Sequence, residues 1–287
     1  MGNKVNGEGV TNTVDVSVDD FDAVDVSSIA ELVLASGAKS VTVEVDAGWK
    51  EHAETTVEDG TLVVRFKEGF QPFCPSGKTC EWKVTATLPR LRGVATRGSS
   101  RLSSRKGADF GVDDLEVQTS GSSLATLEVG AVEGELKVAS SGSSKLSMDA
   151  RAAKTVAVGA SGSSKSTLSV AEVDTLKLFT SGSSQVTVNG LQAKSVSSGS
   201  SGSSELSLAG EGADSAVYEV TGSSKTAADK LPTANVTVGA SGSSKLLVNV
   251  SDKLLGNARG SSQVLYTGSV QYAAVDTVGS ASVKRKN

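Results

Sequence analysis

Ser141-Gly142-Ser143-Ser144 returns as Ser161-Gly162-Ser163-Ser164, as Ser181-Gly182-Ser183-Ser184 and as Ser201-Gly202-Ser203-Ser204, each time 20 residues further on. Taking the glycine of every Gly-Ser-Ser, the series is Gly98, Gly121, Gly142, Gly162, Gly182, Gly202, Gly222, Gly242 and Gly260, with a decayed copy at Gly279. The gaps are 23, 21, 20, 20, 20, 20, 20, 18 and 19 residues. A near-constant period of this length marks a repeat architecture in which each unit stacks on the last.

Working outward from the glycine, apolar residues alternate with period two. Before it lie pairs such as Leu136/Val138, Val156/Val158 and Leu176/Leu178; after it lie Leu146/Met148, Val186/Val188 and Leu206/Leu208. Alternation is the signature of strands, whose successive side chains point to opposite faces. Each repeat is therefore read as two short strands hinged at Gly-Ser-Ser and closed by a variable loop on the far side. One such unit cannot hide its apolar side chains alone, but stacked copies bury them as continuous ladders. The expected fold is all-β: a parallel β-helix, or solenoid, with rungs of about 20 residues. Right-handed crossovers are the general rule. Ten rungs at about 4.8 Å each give a rod on the order of 45 Å long.

The same parity assigns the residues of the hinge. Counting in twos places inside the coil a small residue (Thr119, Ser140, Ala160, Thr180, Ser200, Ala240), then the glycine, then the second serine of the pair. Buried serine hydroxyls need partners, which neighbouring rungs supply in register. The motif is thus primarily a structural corner. Two serine columns are left outside, represented by Ser141, Ser161, Ser181 and Ser241 and by Ser143, Ser163, Ser183 and Ser243. Beside them runs a mixed column that includes Lys145, Lys165, Glu205, Lys225 and Lys245. These serines and lysines are the candidate binding face, although a solvated surface accounts for the lysines more simply than an anion-binding stripe.

Composition bounds the rest. In 287 residues only 4% are aromatic and 38% hydrophobic, which suits a slender object with a narrow interior. A net charge of −4 offers no field to attract nucleic acid or an anionic membrane, so neither partner is expected. The opening residues from Met1 to Asn6 are polar, with no signal peptide or membrane-spanning segment in them, and membrane insertion is not expected. Gly2 invites myristoylation, but Asn6 occupies the position that usually carries Ser or Thr. Cys74 and Cys80 lie in Phe73-Cys74-Pro75-Ser76-Gly77-Lys78-Thr79-Cys80, and the chain's single histidine, His52, makes a zinc site implausible. They are either free thiols in a loop or a disulfide, which Pro75 and Gly77 favour by tightening the bend. A disulfide would imply an oxidising compartment. Asn235-Val236-Thr237 and Asn249-Val250-Ser251 match the glycosylation pattern.

Residues 1–97 lack the motif but alternate in the same way, at Val14-Val16-Val18, Val41-Val43-Val45, Leu62-Val64-Phe66 and Trp82-Val84-Ala86-Leu88. Both tryptophans and five of the six phenylalanines fall in the first 110 residues. This bulkier section is expected to cap a solenoid running from 98 to 287, since an open first rung would invite polymerisation. The acidic cluster Asp15, Asp19, Asp20, Asp22 and Asp25 lacks the spacing and turn glycine of a calcium loop and reads as a charged turn.

In order, the segments Val14-Asp15-Val16, Phe21-Asp22-Ala23-Val24-Asp25-Val26, Leu32-Val33-Leu34, Val41-Thr42-Val43-Glu44-Val45, Glu58-Asp59-Gly60-Thr61-Leu62 and Val84-Thr85-Ala86-Thr87-Leu88-Pro89-Arg90-Leu91 lead into the first Gly-Ser-Ser. This succession resembles the putative auto-transporter adhesin head domain, or head GIN domain, a family of uncharacterised secreted or envelope proteins. The family commonly shows Gly-Ser-Gly where this chain has Gly-Ser-Ser. The resemblance implies a parallel β-helix, an adhesin-like role and an extracellular or envelope location.

Catalysis is disfavoured. His52 sits in Lys50-Glu51-His52-Ala53 without supporting groups, repeat-aligned carboxylates are absent, and the glycines mark hinges rather than phosphate loops. No catalytic residue, cofactor or metal is assigned. The expected function is a non-catalytic surface or secreted scaffold, monomeric, presenting flat faces to a glycan or protein partner. The alternative is ice or crystal-surface binding by the outward serines, against which stands the near absence of threonine methyls in those columns. A purely mechanical spacer is the third reading.

Overall fold

The structure, a computed structural model, describes residues 4–286, so Gly2 lies outside the described residues. Among those residues it is all-β, with a single 3-10 turn at Lys50–His52. Six consecutive strands of 16 residues, from Lys145–Ala160 to Lys245–Gly260, form the middle of the stack. Each pairs in parallel with the next, so that Leu176 of Lys165–Thr180 meets Val156 on one side and Val196 on the other. The chain is a parallel β-solenoid of about ten turns with rungs of about 20 residues.

The far side of each rung is not the loop expected from sequence. It stays in the ladder, as Ala153, Val173 and Ala193 show by pairing in succession. The bends there appear instead as breaks in alternation. In Lys165–Thr180 the inward positions are Ser166, Leu168 and Val170, then Val173, then Leu176, Leu178 and Thr180. The outward pairs Ala171-Glu172 and Asp174-Thr175 mark the two places where the strand turns without leaving the sheet. The ladder slips where glycine or proline intervenes, between Leu191 and Gln192 and between Ala228 and Pro232.

The interior is a set of apolar columns, for example Leu168, Val188, Leu208 and Val248, each at most 1% exposed. Tyr218 lies among them, fully buried, with no hydrogen-bond partner for its hydroxyl among the described residues. Burial pushes this phenol upward, weakly opposed by the nearby Thr233 hydroxyl.

The N-terminal section stacks out of chain order. Ala23–Val26 and Glu31–Ser36 form a rung that lies between Gly93–Thr96/Arg101–Ser104 on one side and Thr61–Phe66/Trp82–Leu88 on the other. Its corner is Ser27-Ser28, with Ser28 at φ 68°, directly under Gly98. The outermost rung is flanked by antiparallel strands: Ala53–Glu58 on Thr61–Phe66, Ser40–Asp46 on Trp82–Leu88, and Thr11–Asp15 on Ser40–Asp46. Switching from parallel to antiparallel pairing, through one local hairpin (53–58 with 61–66) and two pairings between distant segments, covers the last parallel rung and leaves the short strands Thr11–Asp15 and Ala53–Glu58 at the edge. Here the aromatic residues gather, Phe66 lying 4.2 Å from Trp82 and 5.9 Å edge-on from Trp49, centroid to centroid.

Cys74 and Cys80 are joined as a disulfide, closing the loop after Gln71–Phe73, which pairs in parallel with Lys4–Asn6. Gly7 lies against Cys80 so closely that a Cβ there would come within 2.5 Å of its sulfur.

Asp46 fastens the same region. Its buried carboxylate accepts hydrogen bonds from the backbone N–H groups of Glu8 and Gly9, both at 2.8 Å, and of Gly48 at 2.9 Å. Burial alone would raise its pKa, but the three donors, helped by Lys78, hold it below the ordinary carboxylate value of 3.8. A depressed folded-state pKa contributes stability that is present above the unfolded value and is lost as pH falls through the folded one. We therefore expect amides near residues 8–9 to lose hydrogen-exchange protection on acidification below about pH 4. Asp46→Asn should show reduced protection there already at neutral pH. Unchanged protection in that variant would mean the carboxylate does not hold this segment.

Candidate functional site

The hinges lie over one another in a single column. Gly121, Gly142, Gly162, Gly182, Gly202, Gly222, Gly242 and Gly260 all adopt φ between 67° and 75°. A Cβ at Gly162, Gly182, Gly202 or Gly222 would lie 2.8 Å from the carbonyl oxygen of the hinge glycine one rung below. Hydrogen bonding continues around the corner, since Ser163 N donates to Gly142 O and Ser183 N to Gly162 O, both at 2.8 Å.

One expectation about the corner is corrected. The glycines face solvent, not the interior. Period-two counting holds only while the backbone stays extended; the left-handed glycine turns outward at the corner, and the alternation resumes in the same phase at the second serine. The residue two before the glycine and the second serine do point inward. Thr119, Ser140, Thr180 and Ser200, and Ser144, Ser164, Ser184 and Ser224, are at most 3% exposed. Ser164 Oγ donates to Ser161 O at 2.8 Å or to Ser140 O at 3.2 Å, and Ser184 has the same choice between Ser181 O and Ala160 O. Thr180 Oγ1 donates to Ser200 Oγ at 3.0 Å. Hydroxyls thus fill the tip of the coil without leaving polar atoms unpaired.

The corner also divides the candidate binding face in two. Ser141, Ser161 and Ser181, one residue before each glycine, line a groove of about 630 Å³ on the strand entering the hinge. Ser143, Ser163, Ser183, Ser243, Lys145, Lys165, Lys225 and Lys245 do not line it, and neither does Ser241. The lysines stack in register, Lys145 on Lys165 and Lys225 on Lys245, but Lys225 is drawn to Glu205 at 2.9 Å. That pairing interrupts any continuous cationic stripe, and an exposed pair of this kind contributes little stability.

Sequence reading missed the most distinctive residue of the groove. Phe179 stands 62% exposed between Gly159 and Gly199, its partners in the adjacent rungs. The signal was one aromatic residue in an outward column otherwise occupied by Gln118, Ala139, Gly159, Gly199 and Glu219.

A second groove, of about 1000 Å³, follows the far bends past Glu172, Asp174, Lys194, Glu211 and Asp214. Carboxylates outnumber lysines along it, and one ion pair forms among the described residues. Lys194 Nζ lies 2.6 Å from Asp174, and that hydrogen bond, with Asp214 beyond it, raises the lysine pKa. Among the described residues no group of three or more His, Cys, Asp or Glu side chains is placed to hold a metal ion, and no helix is long and apolar enough to cross a membrane.

With stacked hinges, a parallel coil and an antiparallel cap in view, comparison with known proteins is decisive. The sequence model of the family described as "Putative auto-transporter adhesin, head GIN domain" matches residues 20–174 and 157–269. The chain belongs to this family.

Two crystal structures place this head GIN domain protein among similar folds. One, a putative adhesin from Parabacteroides distasonis, is 18% identical with a TM-score of 0.59, over 99% of this chain and 100% of the other. The second, a putative adhesin from Parabacteroides merdae, is 16% identical with a TM-score of 0.54, over 99% of both chains. At such identities the likeness shows the fold alone. None of the curated proteins matches the chain.

Proposed function

We propose that this head GIN domain protein is a non-catalytic, adhesin-like scaffold that presents the long lateral faces of its solenoid to a glycan or protein partner at the cell surface or envelope. The observation that carries the reading is the register of the rungs. Identical hinges stacked without offset repeat the same outward positions at one strand spacing, so each face is a regular array on a rigid support. The family supports an adhesin-like role, and the disulfide fits an oxidising compartment.

The test is saturable binding of the purified protein to glycan arrays and to cell-envelope preparations. Binding in at least one of these is expected, and blanks in both would remove the adhesin role while leaving the fold intact. A thermal-hysteresis measurement on the same sample separates this reading from ice binding. No hysteresis is expected, because the outward column Ser143-Ser163-Ser183 offers hydroxyls without methyl groups.

A further inference from the structure

The strand entering the hinge carries Gln118, Ala139, Gly159, Phe179, Gly199 and Glu219 along its outer face, paired rung by rung. Neither rung next to Phe179 offers a side chain to cover it. Its ring leans over Gly199, where a Cβ would lie 3.3 Å from the ring edge. Outward positions of a sheet normally shield an aromatic ring with cross-strand neighbours. Here both neighbours are glycine and the ring is left standing. On the hinge side of the groove, the hydroxyls of Ser141, Ser161 and Ser181 make no hydrogen bond among the described residues.

We propose that this groove binds a neutral glycan chain, with Phe179 stacking on the apolar face of one sugar ring and the serine hydroxyls and the Glu219 carboxylate hydrogen-bonding its hydroxyl groups. The proposal rests on the adhesin-like reading above and names its ligand class and its site. Dimensions argue for a single chain as the occupant. The lining residues come from seven rungs, from that of Thr96 to that of Thr221. At about 4.8 Å per rung this spans about 29 Å. About 630 Å³ drawn out over that length makes a long, shallow trough rather than a pocket for a compact ligand. A folded protein partner would need about 800 Å² of contact on its side, far more than such a trough offers.

An extended peptide fits less well than a sugar chain. Peptides dock on sheets by pairing their backbone at an edge, whereas this groove lies on a face. Its floor N–H and C=O groups are already spent on the rungs above and below. A glycan brings no peptide groups to satisfy, and its hydroxyls stay partly in water. Charge selects among glycans. Arg97, at one end of the groove, is held by Asp25 at 2.6 Å, while Glu219 has no ion pair among the described residues. The groove therefore disfavours uronic-acid polymers.

Affinity electrophoresis of the full chain, in gels containing xylan, glucomannan, hydroxyethylcellulose or polygalacturonate, tests this. Retardation is expected in at least one of the three neutral gels and not in polygalacturonate. Phe179→Ala should weaken it by about ten-fold, the scale of one lost aromatic contact, with the circular-dichroism melt unchanged because the ring is exposed. Phe179→Trp should retain it, and so should Lys154→Ala in the other groove. Equal retardation of wild type and Phe179→Ala would overturn the site while the adhesin-like reading survives. No retardation in any neutral gel would overturn the glycan assignment, and the adhesin-like reading would then be judged separately by the envelope binding above. A Phe179-dependent dimer in sedimentation equilibrium would also overturn it, assigning the groove to self-association.

Discussion

Gly182→Ala is expected to destabilise the solenoid by roughly 2–4 kcal/mol, although the position is exposed and the change adds one methyl group. Two effects combine. At φ 68° an L-residue costs about 1–2 kcal/mol that glycine does not. The added Cβ would also lie 2.8 Å from Gly162 O, 3.1 Å from Gly162 N and 3.4 Å from its Cα. None of these atoms belongs to a flexible side chain. The rungs must separate, which strains the bonds from Ser183 N to Gly162 O and from Ser203 N to Gly182 O, both 2.8 Å. Gly190→Ala is the control. Its φ is 72°, but a Cβ there would have only Val170 O, at 3.9 Å, nearby. That variant should lose only about 1–2 kcal/mol in urea unfolding, which is the strain of the left-handed backbone alone. Equal losses in the two variants would show that contact along the glycine column contributes nothing.

Trp49→Ala should cost about 3–5 kcal/mol, the usual range for emptying a buried site of this size. Trp49 is 1% exposed, packs edge-on against Phe66, and its Nε1 donates to Val5 O at 3.3 Å. It thus joins the 4–6 strand, the turn at 46–49 and the outermost rung. Loosening that contact should free the antiparallel strands that flank the parallel stack and expose unpaired edges. We expect a lower calorimetric midpoint together with concentration-dependent association in light scattering. A destabilised variant that remained monomeric at every concentration would show that these strands do not guard the edge.

Much of this was open to reading in the chain itself. Leu176 and Leu178 stand at the same offsets from Gly182 as Val156 and Val158 do from Gly162, and such equivalence has meaning only if copies stack. The inward serines were recognisable for the same reason, because parity counted from apolar neighbours placed Ser164 and Ser184 inside. Other features left no such trace. Ser28 takes the hinge conformation without the glycine that announces it elsewhere, so the rung of Ala23–Val26 and Glu31–Ser36 carries no motif. Alternation in Val41-Val43-Val45 announces a strand but not its antiparallel partner Trp82–Leu88. The groove escaped notice because Phe179 gains its exposure from Gly159 and Gly199, which are 20 residues away in either direction.

Taken alone, the order of residues determined the period, the strand character, the corner and the narrow apolar interior. Each of these depends on local geometry repeated identically. Tertiary structure alone decided which way the glycines face, that the second rung of the stack is laid down first, and that one phenylalanine stands bare beside a row of free hydroxyls. These depend on which distant backbone lies alongside, and a side chain's surroundings in a solenoid come mainly from the rungs above and below it.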